Sequence, residues 1–86
     1  MSPSASIRKS VHTAELQLLR ELLLDARNNA GLTQQGLAKR LGKPQSFIAK
    51  YEGGERRLDV IEFVAVARAI GADPVQLLRT LVRKIT

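Results

Sequence analysis

The sequence contains no cysteine, so neither a disulfide nor a thiolate metal site is open to it. Its single histidine, His12, cannot build a metal cluster alone. Tryptophan is absent and the only aromatics are Phe47, Tyr51 and Phe63, so a core must come from Leu, Ile, Val and Ala. No apolar run approaches the roughly 18–20 residues of a membrane span. Met1 to Ser10 hold no apolar stretch of signal-peptide type. The expectation is a cytoplasmic protein, associated with the nucleoid if the cell is bacterial, with no membrane partner. No segment alternates apolar and polar residues for long enough to suggest a strand. With no Cys, one His in a helix-entry segment and no glycine-rich phosphate loop, no catalytic constellation can be assembled. The chain is therefore expected not to be an enzyme and to carry no cofactor.

What is present is positive charge and helical periodicity. Lys and Arg number 14 against 8 Asp and Glu, a net charge of +6, which favours an acidic partner such as nucleic acid or an anionic membrane. A chain of 86 residues reads as one domain. It lies near the size below which folding needs a disulfide, a metal or a partner subunit. A hydrophobic content of 44% places it with globular rather than disordered chains. Residues 1–12, rich in Ser and carrying Pro3, Arg8 and Lys9, read as a flexible tail, and residues 13–86 as the domain.

Five helices are expected. In the first, Leu16, Leu19, Leu23, Ala26 and Ala30 step by three and four along one face, with Thr13 as N-cap and Gly31 as stop. Leu18, Leu22 and Leu24 widen this stripe and imply a second contact surface. Thr33 caps a second helix running to about Leu41, with Leu37, Ala38 and Leu41 inward, and Gly42 stops it. Pro44 opens a third, running to about Glu52 with Phe47, Ile48 and Tyr51 apolar. Whether Pro44 is its cap or its first helical residue stays open. Asp59-Val60-Ile61-Glu62 has the form of a capping box and starts a fourth helix through Val60, Ile61, Val64, Ala67 and Ile70. Asp73-Pro74 starts a fifth, which carries Leu77, Leu78, Leu81, Val82 and Ile85. The fold class is all-α, a compact five-helix bundle.

The segment Gln34 to Gly53 is the most informative. Two helices crossing closely with a sharp turn between them need a small residue in the first, and Ala38 supplies it. The turn needs a residue tolerant of a left-handed backbone, and Gly42 stands four residues on. The second helix must bury a branched apolar residue against the first, and Ile48 is in place for that.

With the run Gly31-Leu32-Thr33-Gln34-Gln35-Gly36-Leu37-Ala38, then Leu41-Gly42, Gln45-Ser46, Ile48, Tyr51-Glu52-Gly53-Gly54 and Ala69-Ile70-Gly71, the chain resembles the phage-repressor and Cro-like helix-turn-helix family, often called the Xre family. The likeness runs from about Leu19 to Leu78. Gly36 departs from it, since a good helix former such as Glu is usual there and glycine costs a helix roughly 1 kcal/mol. Lys43-Pro44 departs as well, where a Ser or Thr cap is common.

The resemblance implies a lambda-repressor-like DNA-binding domain that binds double-stranded DNA and regulates transcription, with the third helix in the major groove. Lys43, Pro44, Gln45, Ser46 and Lys50 would then meet base edges. Gln45 suits adenine, Lys50 suits guanine, and Pro44 offers apolar surface to a thymine methyl. Gln34, Arg56 and Arg57 would contact phosphates. Arg27 would pair with Glu52 and turn its spare donors to a phosphate. Between Thr33 and Arg57 stand six basic residues and two acidic ones, a net +4, which is the expected electrostatic footprint. A homodimer is expected, because one reading helix covers too few base pairs to find a site in a genome. The alternative is an antitoxin or a restriction-modification controller of the same fold, with a protein partner besides DNA.

Overall fold

The computed structural model describes residues 13–85; the tail expected over residues 1–12 lies outside them. Five helices follow in order: α1 (Ala14–Asn29), α2 (Gln34–Leu41), α3 (Gln45–Glu52), α4 (Val60–Ile70) and α5 (Pro74–Ile85). No strand occurs among the described residues.

The starts are set by local chemistry. Thr13 Oγ1 accepts from Leu16 N at 3.2 Å and Thr33 Oγ1 from Gly36 N at 2.9 Å, each satisfying a helix N–H that has no partner in its own helix. At α4 both capping-box bonds form: Glu62 N donates to Asp59 Oδ1 at 2.7 Å and Asp59 N to Glu62 Oε1 at 2.9 Å. Asp73 Oδ1 accepts from Val75 N at 2.9 Å ahead of α5. Pro44 is the N-cap of α3, extended at φ −69° and ψ 155°, with no side-chain cap bond.

α2 packs on α3 and α4, while α1 packs on α3, α4 and α5. The core is Leu23, Leu37, Ala38, Ile48, Tyr51, Phe63, Val66, Ala67 and Ile70. Burying a side chain such as Leu23, Leu37 or Ile48 contributes roughly 1.5–3 kcal/mol. Ala38 on α2 and Ile48 on α3 are both buried in the one core cluster, and these two helices pack on each other. Gly42 between them has φ +68° and ψ 31°, a left-handed conformation in which any other residue pays about 1–2 kcal/mol. Its N–H donates to Lys39 O at 3.2 Å and Lys43 N to Ala38 O at 3.0 Å, closing the end of α2.

The inner face of α4 differs from expectation. Val60 and Ile61 are 74% and 77% exposed, and the buried residues are Phe63, Val66, Ala67 and Ile70. The capping box fixes the phase: it makes Val60 and Ile61 the first two helical residues, whose side chains leave the bundle, while Phe63 opens an inward i, i+3, i+4, i+7 row. On α1, Ala30 is exposed and the inward row closes instead on Arg27, 9% exposed. On α5 no residue is fully buried. Val75, Leu78, Val82 and Ile85, at spacings of three and four, remain 44–56% exposed. The half-buried Leu18, Leu22 and Leu24 lie on α1, which packs against this helix.

Candidate nucleic-acid interface

Lys43, Pro44, Gln45 and Ser46 are exposed around the start of α3, and Lys50 is exposed in its last turn. Ser46 and Lys50, four residues apart, share one helix face. Gln34 opens α2 beside them. Its Oε1 accepts from Gln45 Nε2 at 3.0 Å, and its Nε2 donates to Glu52 Oε1 at 2.8 Å.

Glu52 is in turn held from below. Arg27 donates to it through Nε at 2.6 Å and Nη2 at 3.0 Å, a two-pronged pair, while its Nη1 donates to the Leu32 carbonyl at 2.7 Å. The side chains of Arg27 and Glu52 are only 10% and 6% exposed. The hydrogen bond to Glu52 raises the Arg27 pKa against the opposing pull of burial, so the guanidinium stays charged. Arg27, Glu52, Gln34 and Gln45 thus form one hydrogen-bonded chain from the core to the tip of α3. Three of the five Arg27 N–H groups serve Glu52 and Leu32.

A second charged cluster lies in the loop after α3. Arg56 donates through Nη1 and Nη2 to both oxygens of Glu62, at 3.0 and 2.7 Å, and through Nη1 to the Arg57 carbonyl at 3.0 Å. Its Cζ lies 4.8 Å from the centroid of the Phe47 ring, and Lys43 Nζ lies 5.4 Å from the same centroid. Arg57 is exposed. Glu62 therefore has two tasks, capping α4 and tethering Arg56. The Arg56 bond first, and the Asp59 N–H second, hold its carboxyl at about 2 rather than the usual 4.5.

Because the folded pKa is depressed, this stabilisation is present above about pH 4.5 and is lost as pH falls toward 2. Solvent screens the group, so the effect is modest. Thermal melts of Glu62→Gln are expected to show a lower midpoint at neutral pH and a flatter decline across that acid window than the parent. Parallel curves would remove Glu62 from the linkage.

Sequence reasoning missed the Gln34–Gln45 bond, the Arg56–Glu62 pair and the cations around Phe47. It missed as well that Arg40 Nη1 donates to Ala69 O at 2.9 Å and pins α2 to the end of α4. Among the described residues no cluster of His, Cys, Asp or Glu is placed to hold a metal ion. No described helix is long and apolar enough to cross a membrane.

The helix-turn-helix family profile matches residues 23–77. Among solved structures, an XRE-family like protein from Pseudomonas syringae pv. tomato is 54% identical, with a TM-score of 0.83 over 88% of this chain and 93% of that one. The restriction-modification controller protein C.AhdI from Aeromonas hydrophila is 28% identical, with a TM-score of 0.69 over 76% of this chain and 98% of that one. The wild-type controller protein C.Esp1396I shares the fold at 19% identity, with a TM-score of 0.78 over 86% of this chain and 97% of that one. No curated protein sequence matches the chain. Five helices, a tight turn at Gly42 and this set of likenesses make the chain a member of the XRE family of helix-turn-helix DNA-binding proteins.

Proposed function

We propose that this domain recognises a specific double-stranded DNA sequence, as a homodimer, and acts as a transcriptional regulator. The observation that carries the reading is the exposed start of α3 braced from the core by Arg27, Glu52 and Gln34, within a segment of net +4. Gln45, Ser46 and Lys50 read base edges, with Lys43 and Pro44 beside them. The N-terminus of α2, with Gln34, and the loop arginines Arg56 and Arg57 meet the phosphates. Arg27 contributes from beneath, by fixing Glu52 and through it Gln34. The homodimer rests on the apolar row Val75, Leu78, Val82 and Ile85 of α5.

A narrower reading, supported by the 28% identity to C.AhdI, makes the chain a restriction-modification controller, and a restriction enzyme encoded next to its gene would favour it.

Selection of bound duplexes from random DNA, followed by affinity against salt, tests the proposal. Inverted half-sites are expected, with affinity falling against log salt at a slope of about −0.9 per phosphate neutralised. Gln45→Ala and Lys50→Ala are expected to relax preference at single positions by roughly 1–3 kcal/mol. Arg57→Ala is expected to weaken all duplexes alike and flatten the salt slope. No duplex binding at low salt refutes the reading, and an unchanged preferred sequence in Gln45→Ala refutes the placement of α3.

A further inference from the structure

Phe47 is an aromatic in a chain nearly without them, and it stands one residue past Ser46 on α3. One edge of its ring belongs to the interior. It packs against the core and meets Tyr51 edge-on, with ring centroids 5.8 Å apart. The ring is only half-buried, however, and its remaining surface forms part of an open depression walled by Lys43, Pro44, Ser46, Lys50 and Arg56. Three of these walls are cations and none is a carboxylate. Two of the cations, Lys43 and Arg56, lie close to the ring itself.

Such a depression selects its occupant by two features. The aromatic and proline surfaces favour a small apolar group. The ring of ammonium and guanidinium groups favours one carried on a polyanion and repels a cationic partner. In the major groove of DNA the thymine C5-methyl is that group: an isolated apolar projection flanked by its own strand's phosphates. Cytosine lacks it and 5-methylcytosine has it.

We propose that Phe47, with Pro44, forms the floor of a 5-methylpyrimidine pocket, making Phe47 a specificity-determining residue that reads the methyl group of a thymine, with Arg56 at a flanking phosphate. The inference rests on the DNA reading above and deepens it. It adds a side chain that carries no hydrogen-bonding group to a set of polar base readers. The Phe47–Arg56 contact gives the ring a fixed orientation, because Arg56 is itself held by both oxygens of Glu62. The floor is in place before DNA arrives.

The test uses a duplex chosen by selection, with each thymine replaced in turn by deoxyuridine, which deletes only the methyl. At one thymine per half-site the parent protein is expected to bind about three- to tenfold more weakly, the range for one buried methyl. In Phe47→Ala the same replacement is expected to change nothing. A cytosine placed at that position is expected to be bound more tightly when 5-methylated, again only by the parent. Phe47→Leu keeps an apolar side chain on the core side and serves if Phe47→Ala melts too low; it is expected to show a reduced uracil penalty. Indifference to uracil at every position overturns the inference, as does a penalty of equal size in parent and Phe47 variants. Failure of the parent to bind any duplex overturns the DNA reading itself and is distinguished by that result alone.

Discussion

Arg27→Ala is expected to cost the fold about 3–5 kcal/mol, the range for removing one member of a buried ion pair. The loss is large because three groups are stranded together. Glu52, 6% exposed at its side chain, keeps a charge with its principal partner gone, the Leu32 carbonyl loses a donor, and Gln34 loses the carboxylate orientation it depends on. Native domains are stable by only about 5–15 kcal/mol, so a 3–5 kcal/mol loss consumes much of the margin. Replacing both charges, as in Arg27→Met with Glu52→Leu, is expected to restore most of the stability, since buried pairs exchanged for apolar residues are often neutral. DNA affinity in that double variant is expected to stay low, because Gln34 and Gln45 no longer have a fixed anchor. Urea unfolding of the parent, both single variants and the double variant measures this coupling directly. Coupling near zero would make Arg27 and Glu52 independent residues, with the geometry seen between them carrying no energy.

Leu78→Asp is expected to lower operator affinity by on the order of 10²-fold or more, the range in which linked binding sites exceed single ones. Leu78 lies within the row Val75, Leu78, Val82 and Ile85, and the row's spacing is that of a helix seam that meets another helix. The side chain is 49% exposed, so the carboxylate reaches water in a monomer and costs its fold little. In a two-fold assembly the same carboxylate faces its own copy across the axis and both are desolvated. The two reading helices, spaced about one DNA turn or roughly 34 Å apart, then engage one at a time. Ala65→Asp, exposed on α4, controls for the added charge. Sedimentation equilibrium with and without an inverted-repeat duplex reads the outcome. A parent that is monomeric in both conditions, or a Leu78→Asp variant that is dimeric in both, rejects this interface.

Helix ends were legible in the sequence because capping is a local matter. Thr13, Thr33, Asp59 and Asp73 each stand one residue before the helix they start. The turn was legible for the same reason, through Gly42. The phase of α4 was not. Val-Ile-Glu-Phe-Val-Ala-Val-Ala is apolar nearly all round, so periodicity alone does not say whether Val60 or Phe63 faces inward. The side chains at the start of α3 were legible as a group, through the spacing of Ala38, Gly42 and Ile48 and through family likeness. Their partners were not. Gln34 and Gln45 stand eleven positions apart on different helices, and Arg56 and Glu62 meet only because the loop folds back on the cap of α4. Contacts set by chain folding leave no periodic trace.

The chain of bonds from Arg27 to Gln45 also divides the surface into residues that can drift and residues that cannot. Ser46 and Lys50 are exposed and lie outside that chain, so substitutions at them are of the kind that usually shifts stability by no more than about 0.5 kcal/mol. Gln34, Glu52 and Arg27 carry the opposite burden, since altering any one disturbs the other two. Single substitutions can therefore remake the outer face carrying Ser46 and Lys50 one step at a time without passing through an unfolded intermediate, because the buried bracing beneath it does not depend on which side chains stand there.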